Sequence, residues 1–149
     1  MLGWLKTNAI AAHEKLTTEV GKFKNREFME ATANACAMIA AADGEVSSAE
    51  KMKMTGFINT SPELKAFNLN DVIKVFNDAC GKFEFDFNIG QAEALKTIGK
   101  IKKDEAAARL LVRVACAIGA SDGDFDEKEK AACRMICQDL GLSPADFDL

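Results

Sequence analysis

The chain has 149 residues, 48% apolar and 28% charged, with a net charge of −4. That length and composition suit one globular domain with a real core, and the acidic balance argues against a nucleic-acid partner, which calls for a basic face. No run approaches the roughly 18 apolar residues of a membrane span, and the five cysteines, an odd number without a secretory leader, read as reduced thiols of the cytoplasm.

In chain order the apolar spacing is helical almost throughout. A first helix is predicted from Leu2 or Lys6 to Val20. Its stripe of Leu2, Trp4, Leu5, Ala9, Ala12 and Leu16 suits docking on the core or on a membrane. The basic run Lys22, Lys24 and Arg26 reads as a solvated face or a contact for a partner or anionic lipid. Phe28, Thr32, Ala35, Ile39 and Ala42 mark a helix over about Glu27 to Ala42, and another runs from Ser48 to about Ile58. Ser61-Pro62-Glu63 reads as a cap followed by a first-turn proline. Asn70-Asp71 opens a helix reaching Phe83, and one more covers Gly90 to Ile101. Phe83–Phe87 alternates like a strand but is too short to outweigh its neighbours. It is predicted to be a helix end whose phenylalanines plug the core, with Glu84 and Asp86 in solvent. Ala107, Leu111, Val114, Ile118 and Ser121 mark the next helix, and Cys133, Ile136, Cys137 and Leu140 one face of the last. Ser143-Pro144 begins a capped turn.

The chain repeats once. At a shift of 79 positions, Asp43 falls on Asp122, Gly44 on Gly123, Glu45 on Asp124, Val46 on Phe125, Glu50 on Glu129 and Lys51 on Lys130. Each copy is a helix–turn–helix with carboxylates in the turn. Part of the pattern is structural. Gly44 and Gly123 suit a left-handed helix end, Ser47 and Asp126 suit N-caps, and Glu50 and Glu129 stand at capping-box spacing. Those roles do not explain Asp43, Glu45, Asp122 and Asp124, which face the negative end of a helix dipole. A bound cation is one counter-charge, and a solvated acidic turn is the alternative. Asp-Gly-x-apolar-x-x-x-Glu is also the second half of an EF-hand loop. The first half is missing, because Ile39, Ala41, Ile118 and Ala120 stand where its first ligands belong. The candidate ligands are Asp43, Glu45, Glu50, Asp122, Asp124, Asp126 and Glu129. An all-oxygen set favours calcium, magnesium or manganese.

Cys133 and Cys137 lie one helical turn apart, and Cys36 and Cys116 occupy similar places in the two copies. They read as core residues or as a thiol-redox site. His13, beside Glu14 and Lys15, reads as a surface histidine.

The segments VGKFKNREFM (20–29), AADGEVSSAEK (41–51), FEFDFNIG (83–90), ASDGDFDEKEK (120–130) and LGLSPADFDL (140–149) together resemble the tellurite-resistance TerB family over nearly the whole chain. The resemblance implies a cytoplasmic all-α protein with internal pseudo-symmetry and a role in tellurite stress. It further implies metal-binding acidic turns, and as partners a TerC-like membrane protein and TerD-like calcium-binding proteins. It carries over no catalytic residue. The expected protein is therefore one all-α domain of seven or eight helices over 1–149, with repeat halves at about 21–80 and 100–142. Its expected role is that of a non-enzymatic, cation-binding adaptor in the cytoplasm or at the inner face of the membrane. The alternatives are a thiol-dependent enzyme or tellurite reductase, and a metal-free helical interaction module.

Overall fold

The computed structural model describes residues 2–6, 9–121 and 123–149. Among the described residues eight helices follow one another: α1 (Gly3–Lys6), α2 (Ala9–Lys22), α3 (Arg26–Ala40), α4 (Ser48–Thr60), α5 (Leu69–Phe85), α6 (Phe87–Gly99), α7 (Glu105–Gly119) and α8 (Glu127–Asp139). Short 3-10 turns at Pro62–Leu64 and Pro144–Phe147 complete the chain, and no strand forms among the described residues. The domain is all-helical, as the periodicity predicts.

Helix α3 is the centre. From Phe28 to Ala41 every residue but Glu30 is buried, and α4, α5, α6, α7 and α8 all touch it. Alanine, cysteine and threonine fill this stretch, so neighbours approach closely on all sides, as befits a helix apolar all round. The buried Thr32 hydroxyl is satisfied by the Phe28 carbonyl at 2.9 Å. Helix α7 is the second core helix and packs on α3 and α2. Gly90 lets α6 lie directly on α5: a Cβ there would stand 2.6 Å from both the backbone N and the Cα of Phe83.

The apolar stripe of the first segment docks on the core. Leu2, Leu5, Leu16 and Val20 are buried, and the Trp4 indole N–H donates to the Phe147 carbonyl at 3.3 Å. Arg113 pairs with Glu19 at 3.3 Å, tying α7 to α2. The described parts of the expected first helix are α1 and α2, and residues 7 and 8 between them lie outside the described residues.

Three expectations change. The cap of α5 is Asn68, whose side chain accepts from the N–H groups of Asn70 and Asp71, so the helix starts before Asn70-Asp71. Helix α6 starts at Phe87, three residues early, because Asp86 caps it through the Ile89 N–H at 3.0 Å. Of the three phenylalanines meant for the core, Phe83 is buried and Phe87 half-buried, but Phe85 is 82% exposed. Residues two apart on a helix face opposite ways, so Phe83 and Phe85 cannot both turn inward.

His13 is half-buried rather than superficial. Its Nδ1 bonds the Glu63 carboxylate, which is only 2% exposed, and the Ser61 hydroxyl donates to the same carboxylate at 2.7 Å. A buried charge needs such partners, and these hold α2 on the Pro62–Leu64 turn.

Candidate functional site

Two helix–turn–helix units carry the acidic segments. Helices α3 and α7 have 15 residues each and α4 and α8 have 13, every boundary recurring 79 positions later. Helices α5 and α6 fall outside this correspondence. Both first helices end alike, with Ala41 at φ −93°, ψ 11° and Ala120 at φ −94°, ψ 14°. Gly44 and Gly123 follow at φ 102° and 80°, where a Cβ would meet no atom. Glycine is needed there for its backbone freedom and not for space.

The caps differ. At α8 the Asp126 carboxylate accepts from the Glu129 N–H at 2.8 Å, and the Glu129 carboxylate accepts from the Asp126 N–H at 3.1 Å. At α4 the Ser47 hydroxyl accepts from the Glu50 N–H at 3.1 Å. The reciprocal box expected at both turns thus closes only at α8 among the described residues.

The packing of α3 with α8 and of α7 with α4 brings the two turns together. Asp43 and Glu50 from the first and Asp126 and Glu129 from the second line one crevice of about 40 Å³, with Lys53 and Lys128. That is the room of a single ion or water, whose share of liquid volume is about 30 Å³. Glu45 and Asp124 are exposed and do not line it. Asp122 lies outside the described residues. Among the described residues, no three Asp, Glu, His or Cys side chains converge as a ready ion cage.

Burial pushes the Glu129 carboxyl above its ordinary value. The Asp126 N–H and Lys53 favour its ionised form, while Asp126 and Glu50 oppose it. Of the four carboxylates only Glu129 is buried; Glu50 is half-buried and Asp43 and Asp126 are exposed, so water reaches the rim of the crevice but not its floor. Lys53 supplies counter-charge from within, and a divalent cation would supply it from outside. The four carboxylates are among the residues the sequence singles out; whether the two turns share one crevice is left open there, and the lysines are missed. One signal was available for Lys53, which stands three residues after Glu50 and so on the same helix face.

The thiols are core residues. All five cysteines are buried. Burial raises Cys36, Cys80 and Cys137 to about 12, and a hydrogen bond to Cys116, together with burial, raises Cys133. Thiols held protonated and away from solvent are poor nucleophiles and poor metal ligands.

The family model described as "Tellurite resistance protein TerB" matches residues 29–149. The chain is 45% identical over 104 residues to "Tellurium resistance protein TerB" of Alcaligenes sp., covering 70% of this chain and 85% of that protein. This helical protein with paired acidic turns belongs to the TerB family of tellurite resistance proteins. No solved structure matches it. Among the described residues, no helix is long and apolar enough to cross a membrane.

Proposed function

We propose that this TerB-family protein acts in tellurite resistance as a non-enzymatic adaptor that binds a divalent cation between its two acidic turns. One observation carries the reading: carboxylates from both turns, 79 positions apart, line one ion-sized crevice. Oxygen ligands without histidine or thiol favour calcium, magnesium or manganese. Four carboxylates are few for a calcium cage of six to eight oxygens, so the affinity is modest and water completes the shell. The working site is the cytoplasm or the inner face of the membrane. The partners suggested by the family resemblance are a TerC-like membrane protein and TerD-like calcium-binding proteins.

Calorimetry of chelator-treated protein tests the cation. Binding heat is expected with at least one of the three ions, and it should fall sharply in an Asp43→Asn, Glu129→Gln variant. Absence of heat at millimolar ion would overturn the cation reading. A metal-free interaction module would then stand, and Lys53 and Lys128 in the crevice already favour it as internal counter-charges. A thiol-dependent reductase has less support, because the thiols are buried. A Cys133→Ser, Cys137→Ser strain should keep its tellurite tolerance, and a strain that lost tolerance with folded protein would revive the enzyme.

A further inference from the structure

Beside the carboxylate crevice lies a second depression, of about 180 Å³ and opposite chemistry. Its buried lining residues include Met38 near the end of α3 and Phe83 near the end of α5. Phe87 of α6 forms one wall, and Ala132 and Met135 of α8 form the other. Alanine at 132, where a larger side chain would fill the space, leaves the cavity open. Met135 is 37% exposed, and large apolar side chains around an open depression mark a contact surface. Methionine walls adapt to varied partners.

The neighbouring charge selects the occupant. Ala42 and Lys128 line both the apolar depression and the crevice, so the two meet along a common ridge. A ligand seated on Met38 and Met135 would run off the apolar floor onto Asp43, Asp126 and Glu129. Four carboxylates in the crevice outnumber Lys53 and the ridge residue Lys128, so that edge is acidic on balance, repelling an anionic lipid surface and attracting a basic one.

We infer that this depression receives an amphipathic helix of another protein, one large apolar side chain anchored between Met38 and Met135 and a basic edge against the acidic turns. Helix-in-groove recognition uses this division of labour, with an apolar anchor for affinity and charge for orientation. The inference rests on the adaptor half of the proposed function and is independent of the cation half.

The test uses the whole protein with methyl-labelled methionine and a synthetic helical peptide carrying leucine on one face and lysine along its edges. A peptide of the same composition in scrambled order is the control. The Met38 and Met135 methyl signals should shift, while that of Met54, buried in α4, should not. Ala132→Gln fills the depression with an uncharged side chain and should weaken binding by about tenfold or more. Asp43→Asn with Asp126→Asn, which keeps the cap, should weaken binding less and flatten its salt dependence. Unmoved Met38 and Met135 signals, equal binding of the scrambled peptide, or unchanged affinity in Ala132→Gln would each overturn the proposal. So would a concentration-dependent dimer of the free protein that Ala132→Gln abolishes, since the occupant would then be a second copy. Anionic vesicles that shift the same methyls without peptide would assign the surface to lipid instead. In cells, an Ala132→Gln strain that retains tolerance while the Asp43→Asn, Asp126→Asn strain loses it counts against the groove alone. Peptide binding in vitro with full tolerance in both strains counts against the adaptor.

Discussion

At the first acidic turn Val46 is half-buried and Ser47 caps α4 with a single bond. At the second, Phe125 is 7% exposed and Asp126 and Glu129 exchange both bonds of the capping box. The backbones match, yet the core grips the second turn harder. The helix before each turn adjusts to its plug. Ala40 precedes the valine, and Gly119, the corresponding position, precedes the phenylalanine. A Cβ on Gly119 would stand 2.8 Å from Phe125 Cε1 and 3.4 Å from Ile39 Cδ1. Small-with-large in one copy and medium-with-medium in the other fill similar space, as close packing requires. Among the described residues, the second turn is therefore held by more contacts than the first.

The largest effect that could break this comparison comes from the plugs. Phe125→Ala should cost about 3–5 kcal/mol, and Val46→Ala about 1 kcal/mol because that side chain is only partly buried. Equal shifts in urea midpoint would mean that the core holds both turns alike. Next comes the fitted glycine. Gly119→Ala should destabilise by about 1–2 kcal/mol, overpacking outweighing the gain of about 1 kcal/mol in helix propensity. Adding Phe125→Val should recover most of that loss. A double-mutant cycle with no coupling would show that the two positions do not share space.

The caps come third. Ser47→Ala should cost about 1 kcal/mol and Asp126→Ala up to about 2, because Asp126 belongs to a two-bond arrangement. Thermal denaturation of the two variants decides the order, and a larger loss at Ser47 would reverse the comparison. The smallest effect is electrostatic. The folded Glu129 carboxyl titrates above its ordinary value near 4.5, mainly through burial. The fold thus favours the protonated form. That contribution is complete below the unfolded value and is lost as pH rises through the raised one. Glu129→Gln retains the cap and should be at least as stable as wild type at pH 7, with the difference closing in acid. A saturating divalent cation should shrink the advantage by stabilising the ionised carboxylate. A Gln variant less stable than wild type at pH 7 without metal would mean that Lys53 outweighs burial.

What the sequence made legible was local. Glycine before an apolar residue, then a cap with Glu three later, located both turns and both following helices, because each of those roles is decided within a few residues. The cap of α6 was hidden. Asp86 sits among phenylalanines whose alternation imitates a strand, and only the break after Phe85 reveals it. His13 and Glu63 pair across 50 positions with no pattern to announce them. That carboxylates of both turns line one crevice depends on how α3 packs on α8 and α4 on α7, a non-local fact that periodicity does not contain. The depression on Met38 and Met135 was equally hidden, since apolar residues at helical spacing look the same whether covered or bare.

Gly90 has a consequence for inheritance. The atoms that crowd it belong to the Phe83 backbone, so a side chain there cannot be absorbed by a rotamer change. A chain that acquired alanine at this position would have to re-aim α6 as a body, and Phe87 with it. The fold has enough other contacts to survive that, but the width of the apolar depression would change. Gly90→Ala is accordingly the place to seek a temperature-sensitive allele, one in which the protein still accumulates in the cell while its tolerance phenotype fails on warming.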